Sequence, residues 1–280
     1  YQEIDKDGNQ IELPVNFAVS DILKLLTPQV SVNIEKREVM VRAWLYRYEG
    51  IGNYKVPIIF LDTNIESNSL WDRDITKFLY GGDDKYRLAQ EIVLGIGGVR
   101  ILQKIGYNEI DIYHMNEGHA ALSTLELYAQ LKDIDKVRKK CVFTTHTPVA
   151  SGHDQFDIGL AKSMIGDILP DVILDNITLS NKLNMTKLAL FFSHYINGVA
   201  KKHGEVSRMM FPGYSIDSIT NGVHATTWVC PAFKRLFDKY MSGWRADPFV
   251  LRSAFGIDKE EIWNAHMEAK RALVEFVNKS

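Results

Sequence analysis

Apolar positions along this chain change their period several times, and each change marks an element. Between 28 and 62 the rhythm is strand-like. Residues 39–48 alternate in part, Gly50-Ile51-Gly52-Asn53 has turn composition, and 54–61 ends at Asp62, so two antiparallel strands feeding one sheet are predicted. Residues 84–105 follow a helical period, with Asp83 or Asp84 to cap the start and Gly106 to stop it. Gly95, Gly97 and Gly98 interrupt that helix at about 1 kcal/mol each relative to Ala, so something should approach its backbone closely there. Beyond Gly106 short apolar strands (110–115, 140–145) alternate with helical stretches (from 120, about 158–168, about 184–204). A last strand over 215–222 should close on an Asn221-Gly222 turn. This alternation predicts an α/β fold with a mostly parallel sheet flanked by helices. Residues 231–279 read as helical, the final helix carrying apolar positions 262, 263, 267, 273, 274, 276 and 277 mostly on one face. At the other end, Asp5 to Asn9 and Pro14 read as a hairpin or loop entry.

Composition narrows the function only a little. With 280 residues, 46% of them hydrophobic and 24% charged, the chain can bury roughly three quarters of its unfolded surface. A formal charge of -2 argues against a dedicated nucleic-acid binder. No apolar run approaches membrane-spanning length. Cys141 and Cys230 are too few for a disulfide framework, which favours a reducing, cytoplasmic setting.

Polar residues gather where predicted strands end. Asn116, Glu117 and His119 run from a strand into a helix, a junction that faces the ligand crevice of a parallel sheet. They can serve sugar hydroxyls; alternatively Glu117 caps the helix and His119 satisfies a buried bond. His146 ends the next strand and can hydrogen-bond a hydroxyl, with Gly152 letting its loop pass close and His153 and Asp154 forming a structural pair. His194 and Asn197, three apart, share a face if 184–204 is one helix. Arg208 could form an ion pair or meet a phosphate, and Trp228 could stack on a sugar ring. No metal site is expected, since His114, Glu117 and His119 lack the HExxH spacing. Leu79 to Tyr86 lacks the P-loop signature, and Ser151, His153 and Asp154 do not make a nucleophile elbow.

Five stretches, YGGDDKYRLAQEIVLGIGGVRIL, MNEGHAAL, FTTHTPVASGHDQF, INGVAKKHGEVSRMMF and ITNGVHATTW, resemble in order and spacing the alpha-glucan (glycogen and maltodextrin) phosphorylases, especially the shorter bacterial and archaeal members. The resemblance covers essentially the whole chain. It implies the N-terminal lobe of a GT-B fold, Rossmann-like and incomplete: 1–230 would be that lobe without its first strands, and 231–280 a helical segment leading to an absent C-terminal lobe. The implied reaction is phosphorolysis of an alpha-1,4-glucan by orthophosphate, releasing glucose 1-phosphate. Pyridoxal phosphate would be held by a lysine of the absent lobe, leaving this stretch inactive alone. His194 would form part of the transition-state wall, while Asn116, Glu117, His119, His146 and Asn197 would line the glucan side. Two other readings stay open: a non-catalytic maltooligosaccharide-binding domain, and a subunit-assembly domain of a homo-oligomer.

Overall fold

Asp5 closes the first hairpin, between β1 (Gln2–Ile4) and β2 (Gln10–Glu12). Its Oδ1 accepts from the amides of Asp7 and Asn9 at 2.9 and 2.8 Å, while Gly8 takes the left-handed backbone (φ 84°) that the turn needs. The computed structural model describes residues 2–12, 18–50, 53–78 and 82–279. Readings that rest on Pro14, Ile51-Gly52 and Leu79-Tyr80-Gly81 lie outside the described residues.

Next comes an antiparallel meander of three strands, not the two expected: β3 (Lys24–Ile34), β4 (Arg37–Glu49) and β5 (Lys55–Asp62). Pro28, a residue that argues against a strand, lies in β3. The strand accommodates that proline at a register shift between Leu25 and Gln29, where a missing ladder donor does little harm. Period two then sorts the faces. Val32, Ile34, Val39, Val41 and Ala43 are buried, while the pairs Trp44–Phe60, Tyr46–Ile58 and Tyr48–Val56 line the opposite face.

The helical stretch 84–104 forms as predicted, with one irregularity. Asp83 caps it by accepting from the Tyr86 amide, and Gly106 ends it at φ 107°. Between the helices Asp84–Ile92 and Gly98–Lys104, residues Val93–Gly97 open into a π-turn. The glycines there answer a close approach. A Cβ on Gly95 would stand 2.7 Å from the Ser123 amide and 2.8 Å from the Leu122 carbonyl carbon, both backbone atoms of the neighbouring helix Leu122–Leu131.

Four strands make the parallel sheet: β6 (Tyr113–Asn116), β7 (Cys141–Thr145), β11 (Tyr195–Gly198) and β12 (Asp217–Ser218), in spatial order β12-β11-β7-β6. A separate antiparallel group, β8 (Gln155–Asp157), β9 (Thr178–Leu179) and β10 (Lys182–Asn184), lies in the chain between β7 and β11. The α/β class therefore holds, but the described strands are not mostly parallel: the other three sheets are antiparallel. In the parallel sheet Met115, Phe143 and Ile196 stand in one cross-strand row and are buried. The next row, Asn116, Thr144, Asn197 and Asp217, is polar.

The long helix expected over 184–204 does not exist. Helix Met185–Phe192 stops at Ser193, β11 follows, and a second helix runs Lys201–Met210. His194 and Asn197 therefore share no helical face. No tight turn forms at Asn221-Gly222, and β12 is only two residues long. Residues 1–220 and 221–280 form separate compact units. The second is helical as expected, with Pro231–Tyr240 and Lys259–Lys279 joined by a 3-10 stretch. On its last helix Trp263, Leu273, Val274, Phe276 and Val277 are exposed and Ala265 is the one buried residue. No helix among the described residues is long and apolar enough to cross a membrane.

Candidate functional site

Parallel strands present their carboxyl ends to a common edge, and the loops that leave them there build the usual ligand crevice of an α/β sheet. Here that edge carries Glu117 after β6, His146 and Thr147 after β7, and Asn197 near the end of β11. Asn116 also stands there, exposed, in the polar row with Thr144 and Asn197. A hydrogen-bonded chain crosses the three strands below them. Thr144 Oγ1 donates to Asn197 Oδ1 at 2.9 Å and lies 2.7 Å from His114 Nε2. Because the threonine proton is committed to Asn197, His114 Nε2 donates to Thr144, which fixes the tautomer of that ring. Asn197 is buried, and its Nδ2 donates to the Gly198 carbonyl at 3.3 Å.

Glu117 has an unusual backbone. At φ 65°, ψ 173° it occupies a region that is nearly the preserve of glycine, which costs on the order of 1–3 kcal/mol. The turn lets Gly118 settle against Met185, whose Cβ would stand 3.3 Å from an added Cβ. It also aims the buried carboxylate at the loop after β7. Oε1 accepts from the Gly118 amide at 3.0 Å. Oε2 accepts from the His146 amide at 2.6 Å and from the hydroxyls of Thr147 and Thr145 at 2.9 and 3.5 Å.

Beside this lies a charged group that sequence reading largely missed. Arg87 Nη2 stands 2.6 Å from His119 Nδ1 and 3.0 Å from Asp154 Oδ2, and its Nε is 3.5 Å from Glu91 Oε1. The guanidinium can only donate, while Asp154 Oδ2, 3.1 Å from the same Nδ1, can only accept, so His119 Nδ1 has one partner of each kind within reach. Burial pushes the Glu91 carboxyl well above its ordinary range, and the negative Asp154 adds to the effect; the nearby Arg87 opposes it without prevailing. Burial would raise Asp154 as well, but contacts with His119, Glu91 and Arg87 outweigh it and hold that carboxyl well below the usual range. Asp154 thus pairs with Arg87 and His119, not with His153, which meets Thr186 Oγ1 at 2.7 Å. Glu91, His119 and Asp154 have ligand atoms within 4.8 Å of one another, yet the guanidinium of Arg87 already holds the place a metal cation would take. The signal for this group was present in the sequence: Arg87 and Glu91 are four apart, and Glu91 breaks the apolar stripe of Leu88, Ala89 and Ile92.

A polar recess of about 320 Å³ opens between Arg87, His119, Gly152 and Asp154. A more apolar groove of about 350 Å³, lined in part by Leu61, Leu94, Ile101 and Ile112, follows β6 and holds few polar groups. The polar recess is the better match to a hydroxyl-rich ligand.

The fold therefore places Asn116, Glu117, His146 and Asn197 at the carboxyl edge of the sheet, and His119, two residues beyond Glu117, beside Arg87 and Asp154. His194 is not among them. It precedes β11, is exposed, donates its amide to the Cys141 carbonyl at 3.1 Å and places Nδ1 2.9 Å from the Arg138 carbonyl, all at the amino edge of the sheet. Arg208 donates to the Ile216 carbonyl. Trp228 is exposed in the second unit.

No family model matches the chain. Individual proteins do. The maltodextrin phosphorylase of Thermococcus litoralis is 35% identical over 312 residues, covering 99% of this chain and 37% of its own length. The glycogen phosphorylase of Mycobacterium tuberculosis is 34% identical over 263 residues, covering 80% of this chain and 30% of its own. That of Aquifex aeolicus is 30% identical over 304 residues, covering 99% and 43%. The chain spans less than half the length of each of these relatives. Agreement at this level along nearly all of its residues leaves one assignment: the chain belongs to the alpha-glucan (glycogen and maltodextrin) phosphorylase family.

Proposed function

We propose that these residues form the glucan-side wall of the active site in a phosphorylase that uses orthophosphate to release glucose 1-phosphate from an alpha-1,4-glucan. One observation carries the reading: in a chain of this family, Asn116 and Asn197 share the polar row near the carboxyl ends of β6 and β11, and His119 and His146 follow β6 and β7 at that same edge. Such groups suit a ligand with many hydroxyls, each of which donates and accepts. The transition-state wall needs a group at that edge. His146 stands there and His194 does not, so the proposal gives that place to His146. Its ring Nε2 is buried and has no hydrogen-bond partner among the described residues, which leaves it for a substrate hydroxyl.

Pyridoxal phosphate, the cofactor this reading implies, needs a lysine amine, and the residues named at the carboxyl edge include none. Lys140 and Lys187 donate their ammonium groups to the Ile110 and Thr178 carbonyls, and the cluster around Arg87 holds no primary amine. The proposal places the cofactor lysine and most phosphate-binding groups in a C-terminal lobe beyond this stretch, in a GT-B arrangement. A cytoplasmic setting belongs to the same reading and is supported by the free thiols Cys141 and Cys230. The 280 residues alone should be inactive, because each missing transition-state contact costs orders of magnitude in rate.

The test is orthophosphate-dependent release of glucose 1-phosphate from maltoheptaose. The product of the complete reading frame, loaded with pyridoxal phosphate, is assayed beside the 280-residue chain. Activity in the long form alone is expected. A folded, loaded long form without activity would sink the reading.

A further inference from the structure

We infer that Glu117 is a positioning residue: its carboxylate, set by a strained backbone, clamps the loop after β7 so that the His146 ring is held at the carboxyl edge of the sheet. The inference deepens the glucan-phosphorylase reading and rests on it for the identity of the ligand. Two independent observations meet here. The first is conformational. A non-glycine residue at φ 65°, ψ 173° persists only where its surroundings over-determine it, and such residues cluster at functional sites. Glycine would fit this backbone without strain, so the side chain itself is what the position requires.

The second observation is what that side chain does. Both carboxylate oxygens are engaged by protein donors. Oε2 alone receives the His146 amide at 2.6 Å, the Thr147 hydroxyl at 2.9 Å and the Thr145 hydroxyl at 3.5 Å. Oε1 receives the Gly118 amide. A carboxylate so occupied is poorly placed to bind a sugar hydroxyl directly. The contacts fall instead on three consecutive residues, Thr145 at the end of β7 and His146 and Thr147 at the start of its loop, the middle of which is His146. The Glu117 amide also donates to the Thr144 carbonyl at 2.9 Å, so β6 grips the end of β7 through main chain and side chain together. A buried imidazole nitrogen without a protein partner, as His146 Nε2 is, stays directed at a ligand only if its backbone is held.

The experiment uses the complete polypeptide with its cofactor, the substitutions Glu117→Gly and His146→Ala, and the double variant. Glu117→Gly relieves the backbone and removes the clamp. It should keep a cooperative thermal transition and lower kcat/KM for maltoheptaose by about 100-fold, the usual scale for an ångström of misplacement. In the His146→Ala background the same change should cost less than about twofold, since a residue that acts through His146 has nothing left to hold. Additive losses, or wild-type kinetics in Glu117→Gly, would overturn the inference. A purely structural role would not produce the non-additivity.

Should Glu117→Gly lose its transition, Glu117→Gln carries the same cycle, because its carbonyl can keep the Oε2 contacts as a weaker, neutral acceptor. Imidazole 15N signals of His146 give a readout independent of turnover. They should be sharp in the wild type and broadened in Glu117→Gly, and unchanged signals would sink the clamp. If the wild type releases no glucose 1-phosphate, the proposed activity fails by itself and the imidazole signals still decide the clamp.

Discussion

Glu91 and Asp154 face the same arginine and respond to pH in opposite directions. Glu91 is 1% exposed, and its folded-state pKa lies above the ordinary 4.5. Stability linked to such a group is fully present below 4.5 and is lost as pH rises from there through the folded value. Asp154 lies below its ordinary 3.8, so its contribution is present above 3.8 and is lost as pH falls through the folded value. Substituting Glu91 by Gln separates the two. The amide fixes the neutral form and can still donate to Asp154, so this variant should match the wild type near pH 4. At higher pH it should be more stable, by a margin that grows until Glu91 ionises in the native wild type. Thermal unfolding across pH 4–8 measures it, at about 2–4 °C of Tm per kcal/mol for a protein of this size. A variant less stable than the wild type at pH 7 would mean that ionised Glu91 is held by Arg87 after all. Cys141 makes the simpler case: burial pushes its thiol up to about 12, so alkylating reagents should leave it untouched in the native protein while they modify Cys230 faster.

Gly95 and Gly98 lie three residues apart in 84–104, yet the same substitution should act on them with opposite sign. Alanine at Gly95 would drive its Cβ into backbone atoms at 2.7 and 2.8 Å, which cannot move without shifting the helix Leu122–Leu131. Overpacking of this kind typically costs about 1–3 kcal/mol, more than the helix-propensity gain of about 1 kcal/mol. At Gly98 only Leu61 Cδ1 comes near, at 3.9 Å, and the backbone is already helical, so Gly98→Ala should stabilise by about 0.5–1 kcal/mol. Denaturant unfolding of the two variants decides the point. The close approach at Gly95 was legible in the sequence because three glycines contradicted an otherwise good helical pattern. The π-turn was not, since it leaves no compositional mark. The break at Ser193 was hidden for another reason. β11 is a central strand packed on both sides, so Tyr195-Ile196 simply continues the apolar run of Leu190-Phe191-Phe192, and no Gly or Pro marks the helix end. That one hidden boundary put His194 and Asn197 on one helical face, which the break at Ser193 removes. By contrast the positions of Asn116, His119 and His146 at or just after strand ends were legible, because a strand end followed by a polar loop has a signature that needs no knowledge of packing.

At the scale of the whole molecule the question is which residues unfold together. Residues 1–220 close their own core around Phe143, Met115, Leu122 and Phe192. Residues 221–280 gather a small one around Trp244, Met241, Leu236 and Ile257. Sixty residues bury little apolar surface, so the second unit depends heavily on its largest side chain. Trp244 is 2% exposed, donates its indole proton to Asp238 Oδ1 at 2.9 Å, meets Phe237 edge-on at 5.3 Å and lies under the Arg245 guanidinium. Its truncation to Ala should cost about 3–5 kcal/mol, comparable with everything a unit of this size can hold. Hydrogen exchange then distinguishes two outcomes. If the units unfold separately, amides of Pro231–Tyr240 and of the first half of Lys259–Lys279 lose protection in Trp244→Ala, while those of β7 and β11 keep wild-type rates. Equal loss in β7 and β11 would show that both cores form one cooperative structure. Separate unfolding is the expected result, because the buried residues of each core pack within their own unit and the polar edge of β6, β7 and β11 is built wholly from the first.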